Sequence, residues 1–130
     1  MEDLTRGVEV FMSINFIVLG VSYLLRPDSG RAYVAHLESK GSVGSLLVAF
    51  LALGIGSFIV AFHNVWSGIP TILTVYGWLA LLKGTIYALF PDVALKGLAT
   101  AQGMGSGLWR TAGALLAAVG VIVLQHAVRA

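Results

Sequence analysis

Four long apolar stretches constrain the fold of this chain more than any other feature. They lie at about residues 8–25, 43–62, 69–90 and 108–128. An α-helix of about 20 apolar residues crosses the ~30 Å hydrocarbon core of a bilayer. None of the stretches alternates apolar and polar residues as a barrel strand does, and backbone groups in lipid must be satisfied internally. The sequence therefore predicts an all-α membrane protein, with four transmembrane helices in a single domain.

The composition agrees with the lipid bilayer as the main partner. Hydrophobic residues make up 58% of the chain, charged residues 11%, and the mean hydropathy is +0.90. Soluble domains carry about 25% charged residues, so this chain has too little polar surface to cover itself in water. The chain has no cysteine, which excludes disulfides and thiolate metal sites. It also has no basic run of the kind that binds nucleic acid.

The chain contains an internal repeat. Residues 20–28 and 84–92 share Gly, Tyr, Leu, Pro and Asp at the same places, and the offset is 64 residues. Two spans fall in each half, so the halves keep the same orientation in a membrane. This pattern predicts two tandem helical hairpins, residues 1–64 and 65–130, related by a pseudo-two-fold axis along the membrane normal.

Lysine and arginine predict the orientation, because they concentrate in cytoplasmic connections. Six of the eight lie in or near connections 26–42 and 91–107, and only two lie on the opposite side. The six are Arg26, Arg31, Lys40, Lys83, Lys96 and Arg110. Both of these connections are therefore expected in the cytoplasm and both termini outside.

Each cytoplasmic connection is expected to hold a short helix. The Pro-Asp pairs at residues 27–28 and 91–92 end the first and third spans, because proline cannot continue a helix. The aspartate of each pair is predicted to cap the next helix, over residues 29–40 and 93–102. These short helices are expected to lie in the membrane interface.

Small residues at helical spacing predict where the helices touch. Lipid provides no hydrophobic force between helices, so close approach at small side chains marks the contacts. The candidate packing positions are Ala52, Gly56, Gly77, Gly84, Gly113 and Gly120.

Two polar residues inside the spans are candidates for function. A polar side chain in lipid is costly, so Asn15 is expected to point inward and to hydrogen-bond across the bundle. Lys83 lies eight residues before Pro91. It either extends past Tyr87 to the cytoplasmic headgroups or couples a proton or a substrate inside the bundle.

Two histidines fall at the exterior ends of the second and fourth spans. Histidines on facing helices could ligate haem or a metal, and His63 and His126 lie 63 residues apart, close to the repeat offset. No carboxylate or third ligand is expected to join them inside a span, with Glu9 the nearest acidic residue. The sequence therefore predicts neither a metal nor a cofactor, and it shows no catalytic motif.

Three residues at span ends are typical of interface anchors. Trp66, Trp109 and Arg110 are of the types that position a helix at the headgroup level. Asn64, with Gly68, is typical of a turn.

One local pattern resembles a known group of proteins. The chain reads His63-Asn64-Val65-Trp66 and then, in the third span, Gly77-Trp78 followed by Lys83-Gly84. This resembles uncharacterised small bacterial four-span membrane proteins that have a His-Asn-x-Trp turn before a Gly-Trp-x-x-x-x-Lys-Gly helix. The resemblance covers about residues 60–92. It implies a bacterial inner membrane and a four-span fold, and it brings no activity.

Three functions remain open from the sequence. The first is a non-enzymatic membrane protein that forms a homo-oligomer or an accessory subunit of a larger complex. The second is a transporter or channel for a small solute or ion that uses Asn15 and Lys83. The third is a redox, haem-binding or metal-binding subunit that uses His63 and His126.

Overall fold

The structure is a computed structural model that describes residues 2–129, and it is all-α. Its six helices are α1 (Glu2–Leu25), α2 (Pro27–Ser39), α3 (Ser42–Phe62), α4 (Thr71–Leu89), α5 (Pro91–Gly103) and α6 (Ser106–Arg129). Four of them, α1, α3, α4 and α6, are long and apolar enough to cross a membrane. The predicted all-α class and the four long apolar helices are confirmed.

Most of the apolar surface of these four helices faces outward. In the most apolar part of α1 only 33% of the residues are buried inside the fold, and in α3, α4 and α6 only 22%. Large side chains such as Phe50, Leu79 and Leu115 are more than half exposed. Contiguous apolar surface of this extent is typical of a protein that is covered by lipid.

The long helices pack as two close pairs, α1 with α6 and α3 with α4. Glycine allows the close approach in both. A Cβ atom on Gly20 would lie 2.5 Å from the backbone nitrogen of Ala117, and one on Gly84 would lie 2.7 Å from that of Leu53. Of the six packing positions predicted from the sequence, Ala52 is half-buried and the other five are buried. The five are Gly56, Gly77, Gly84, Gly113 and Gly120.

A small apolar core joins the two pairs near the end of the bundle that holds the termini. It consists of Val8, Met12 and Phe16 from α1, Ile59 from α3 and Leu73 from α4. This core fixes the first turns of α1 against the end of α3 and the start of α4. Polar side chains on those same turns are therefore held close together.

The two short helices begin differently from the sequence prediction. α2 and α5 start at Pro27 and Pro91 themselves, and the capping positions fall on Arg26 and Phe90. The prediction that the aspartates cap these helices was wrong. The physical reason is that the proline ring fixes a backbone angle suited to the first helical position. The aspartate that follows each proline lies in the first turn, where the helix dipole favours a negative charge.

α2 and α5 form a layer across one end of the bundle. The guanidinium Nε of Arg31 donates to the carbonyl of Gln102 at 3.4 Å and so links the two helices. The indole of Trp109 packs on Gly30 and donates to the carbonyl of Ala101 at 3.2 Å. Trp109, expected as an anchor at the interface, thus also holds the layer against α6.

Candidate functional site

His63 ends α3 and is fully buried. Its backbone N–H makes the last helical bond, to the carbonyl of Ile59 at 2.6 Å, and the chain then turns towards α4. The side chain has no exposed surface. A buried imidazole needs partners for its ring nitrogens, because an unpaired polar group in an apolar interior is costly.

Both ring nitrogens of His63 have partners. Its Nε2 lies 2.8 Å from Oε2 of Glu9, and its Nδ1 lies 3.0 Å from Oγ1 of Thr74. The Glu9 side chain is 8% exposed and Thr74 is fully buried. Three helices, α1, α3 and α4, therefore meet in one hydrogen-bonded polar cluster.

Thr74 determines which nitrogen of His63 carries a fixed proton. Its hydroxyl donates to the carbonyl of Val65 at 2.8 Å and accepts the N–H of Val65 at 3.1 Å. A hydroxyl has one hydrogen, and here that hydrogen is used. His63 Nδ1 must then donate to Thr74, and His63 Nε2 is the nitrogen that shares a proton with Glu9.

The proton between Glu9 and His63 has two possible positions, on Oε2 of Glu9 or on Nε2 of His63. Either the carboxyl group donates to a neutral imidazole, or the imidazolium donates to a carboxylate. Every hydrogen bond of the cluster is kept in both states, and the 2.8 Å separation of Oε2 and Nε2 requires no movement of heavy atoms. The proton can therefore pass between the two groups without a change of fold.

His126 lies on the other side of Glu9. Its Nδ1 is 3.9 Å from Oε1 of Glu9 and is buried without a hydrogen-bond partner, while 38% of its side chain is exposed. Glu9 thus lies between a buried histidine and a surface histidine. The expectation that no carboxylate joins the two histidines was wrong, because the first turns of α1 pack against both α3 and α6.

A cleft between α6 on one side and α4 with the turn before it on the other opens beside His126. Its upper part, at the end of the bundle that holds His126, is a pocket of about 320 Å³. This pocket is lined by Ile69, Ile122, Gln125, His126 and Arg129. Its lower part is a pocket of about 370 Å³ lined by Phe16, Ile72, Tyr76, Ala112, Leu115, Leu116 and Val119. The two parts follow one another along the same face of α6, and we refer to them together as the α4–α6 cleft.

The cluster does not have the form of a metal or haem site. Within residues 3–129, no three His, Asp or Glu side chains are arranged to hold a metal ion. Both nitrogens of His63 are also engaged by Glu9 and Thr74, so neither is free to act as a ligand. The geometry gives no support to ligation by His63 and His126.

Asn15 does not point into the bundle. Its side chain is exposed, and its amide donates at 2.8 Å to the carbonyl of Phe11 in the same helix. The expectation of a bond across the bundle was wrong, because an amide can satisfy its donor one turn back along its own helix.

Lys83 also lies on the outer surface. Its side chain is exposed, and its ammonium nitrogen is 5.4 Å from the centre of the Tyr87 ring, within the range of a cation–π contact. The arrangement favours a lysine that extends along its helix over one that faces the bundle interior. Neither Asn15 nor Lys83 contributes a polar group to a path through the bundle.

The turn after α3 is tied to α4 by a second contact. The indole of Trp78 donates to the side-chain oxygen of Asn64 at 3.3 Å, and the Asn64 amide donates to the carbonyl of Val60. Trp66 is 61% exposed, and Arg110 is exposed at the start of α6. Asn64 and Trp78 therefore hold the turn that carries His63, while Trp66 and Arg110 face outward as expected of interface residues.

The sequence reasoning missed Thr74 and the role of Glu9. Glu9 falls inside the first apolar stretch, and a carboxylate inside a span is itself a functional candidate. That signal could have found it. Comparison of the chain with models of protein families, with curated proteins and with solved structures gave no match.

Proposed function

We propose that the four long helices span a bacterial inner membrane as two tandem repeats, with both termini outside. The outward-facing apolar surface supports the spans, and the six lysine and arginine residues near α2 and α5 support the orientation. The bacterial membrane rests on the resemblance of residues 60–92 to small four-span bacterial proteins.

Equivalent contacts support the repeat. The close approach of Gly20 to Ala117 corresponds to that of Gly84 to Leu53, since both members shift by 64 residues. A second pair of contacts behaves in the same way, Gly120 on Ile17 and Gly56 on Leu81. A pseudo-two-fold axis between the halves would produce this correspondence.

Within that membrane, the protein is a non-enzymatic binding protein for a small amphipathic molecule, which enters the α4–α6 cleft from the lipid. The single observation that carries this function is the change of lining along the cleft. The lower part is apolar apart from Tyr76, and the upper part presents Gln125, His126 and Arg129. Both volumes fall in the range of about 300–1,000 Å³ that is typical of ligand pockets.

The corresponding positions of the first repeat are packed rather than open. Positions 64 residues before Ile72 and Tyr76 are Val8 and Met12, which are buried at 2% and 3% exposure. Ile72 and Tyr76 themselves are 42% and 37% exposed. These positions are therefore packed in the first half of the repeat and open in the second half. A binding site on only one half requires such an asymmetry.

Replacing Leu115 by tryptophan is expected to reduce binding about tenfold, or ~1.4 kcal/mol. The indole would occupy the apolar part of the cleft and displace the tail of the ligand. The measurement is covalent labelling of the full chain in lipid nanodiscs by a long-chain fatty acid with a photoactivatable diazirine in its tail. Labelled peptides are identified and quantified by mass spectrometry.

Leu51→Trp is the matched control. Leu51 lies 64 residues before Leu115, and the two side chains have similar exposure, 58% and 63%. Leu51 does not line the cleft. Labelling that spreads evenly over the outer surface, or that both variants reduce equally, would contradict a specific site in the cleft.

A second candidate function is assembly with another copy of the chain or with a larger membrane protein. One face of α3 is exposed along its whole length and includes small residues at helical spacing. The residues of this face are Val43, Leu47, Phe50, Gly54, Ser57 and Ala61. A Cβ on Gly54 would meet no atom within 4 Å, so a partner helix has room to approach closely.

This second function predicts an oligomer that Gly54→Leu disrupts. A leucine side chain would push a partner helix away and lower the dimer fraction at least several-fold, because close approach is the source of the attraction. Native mass spectrometry from mild detergent measures that fraction. Gly7→Leu serves as a control, since a Cβ on Gly7 also meets no atom within 4 Å. A chain that stays monomeric at all concentrations and retains no partner would rule the assembly out.

A further inference from the structure

We propose that the occupant of the α4–α6 cleft is a lipophilic carboxylic acid bound as its carboxylate, and that the protein takes up one proton when the acid binds. His126 receives this proton, and Glu9, on the buried side of the His126 ring, stabilises the resulting positive charge. This inference rests on the proposed ligand-binding function and adds the chemical class of the ligand and its coupling to protons.

The polar end of the cleft has the donors that a carboxylate needs. Arg129 supplies a permanent cation, Gln125 an amide and His126 an imidazole. No acidic side chain within the described part of the chain lines this end of the cleft. Charge-assisted hydrogen bonds from such donors to a carboxylate are roughly twice as strong as neutral ones. A neutral head such as an alcohol would gain much less from them.

The arrangement behind His126 favours its protonated form when an anion is bound. Oε1 of Glu9 lies 3.9 Å from the buried Nδ1 of His126, which has no other partner. An imidazolium has a donor on each nitrogen, so one can face Glu9 while the other faces the head of the ligand. The imidazolium would then lie between the carboxylate of the ligand and the carboxyl group of Glu9.

The other groups around Glu9 cannot provide this charge compensation. Among residues 3–129, the basic side chains with a nitrogen within 4 Å of the Glu9 carboxyl group are His63, at the end of α3, and His126 from α6. α4 contributes only the hydroxyl of Thr74, through His63. His63 has both nitrogens engaged, and a proton on it compensates Glu9 alone. A further negative charge beside this cluster favours a further proton in addition to the charge of Arg129, and His126 is the group placed to receive it.

The proton balance is simple. The acid arrives at the cleft as a carboxylate, and one proton from the external water binds to the exposed side of the His126 ring. One N–H bond forms, no other bond changes, and the charge of the complex equals that of the empty site. Dissociation of the carboxylate returns the proton to the same solution.

Calorimetric titration of the detergent-solubilised full chain tests the coupling. The probe is a long-chain alkyl sulfonate, which stays ionised, so that any proton taken up belongs to the protein. Binding is measured at one pH in two buffers that differ in ionisation enthalpy. We expect an uptake of about one proton per sulfonate bound, as linkage requires when a group gains a proton on binding. The matching long-chain alcohol is expected to bind weakly and with no uptake.

Two variants locate the proton. His126→Gln is expected to abolish the uptake and to weaken sulfonate binding about tenfold, or ~1.4 kcal/mol. Glu9→Gln is expected to abolish the uptake as well, but it also alters the buried pair, so His126→Gln is the decisive variant. His36→Gln, an exposed histidine on α2, is the control and should keep the full uptake.

The outcomes separate this inference from the function on which it rests. Sulfonate and fatty acid that bind without proton uptake overturn the coupling and leave the binding protein intact. Uptake that persists in His126→Gln also overturns it. A chain that binds neither the sulfonate nor the fatty acid overturns both proposals.

Discussion

Replacing His63 by leucine is expected to lower the free energy of unfolding by about 3–5 kcal/mol. The substitution removes the partner that lies 2.8 Å from Oε2 of Glu9 and leaves a buried carboxyl group without a hydrogen bond. It also leaves the hydroxyl of Thr74 without its third partner. The measurement is equilibrium unfolding of the purified chain in mixed micelles of a mild detergent and dodecyl sulfate, followed by circular dichroism.

The double variant Glu9→Leu/His63→Leu distinguishes loss of a partner from loss of shape. Buried pairs replaced by apolar side chains are often close to neutral, because both desolvation costs disappear together. The chain supplies a precedent, since Leu73 and Ala127 occupy the positions 64 residues further on and both are fully buried. We expect the double variant to unfold within about 1 kcal/mol of the wild type. A double variant as unstable as His63→Leu alone would show that the unpaired carboxyl group is not the cause.

The apolar residues Leu73 and Ala127 at the equivalent positions of the second repeat also bear on function. An apolar pair at positions 9 and 63 would serve the packing as well as the polar pair does, so packing alone does not account for the glutamate and the histidine. Their presence in an apolar interior supports the proposed role for a proton in the binding of an acid next to His126. Polar groups inside membranes generally mark functional sites for this reason.

The helices of this fold were readable from the sequence because length and hydropathy determine them directly. Their first and last turns were less readable. α1 begins at Glu2 and α6 at Ser106, both before the apolar stretches at residues 8 and 108. Polar residues extend a helix beyond its apolar part since the backbone hydrogen bonds continue, and hydropathy does not detect this.

The direction of a side chain around its helix was also available from the sequence for α1. Glu9, Ser13 and Gly20 recur at helical spacing and all three are buried. Asn15 is two residues from Ser13, which is about 200° around the helix, and it faces outward. The helical position was therefore a better guide than the polarity of the side chain.

The partners of Glu9 could not be predicted in this way. Glu9 and His63 are separated by 54 residues, and His63 and Thr74 by 11. Their contact depends on which long helices pair, and hydropathy contains no information on pairing. The tight turn from residue 63 to residue 70 brings Thr74 against His63, and the position of α1 beside that turn supplies Glu9.

Single cysteines are expected to be labelled from opposite sides of the membrane at residues 39 and 67. The chain has no cysteine of its own, so Ser39→Cys and Ser67→Cys each introduce the sole thiol. Both serines are exposed, one at the end of α2 and the other in the turn between α3 and α4. A maleimide that cannot cross membranes should label Ser67→Cys in intact bacterial cells and leave Ser39→Cys unlabelled until the cells are permeabilised.

The expected contrast follows from lysine and arginine, which are strongly biased towards cytoplasmic connections. Ser39 lies among the six on the side of α2 and α5, whereas only Arg6 and Arg129 lie on the side of Ser67. Labelling of both cysteines in intact cells would mean that α3 does not separate them, and the four-span proposal would fail. The reverse pattern would keep the spans but invert the orientation, and it would place Arg129, His126 and the open end of the α4–α6 cleft in the cytoplasm. The labelling experiment therefore also determines from which side of the membrane protons reach His126.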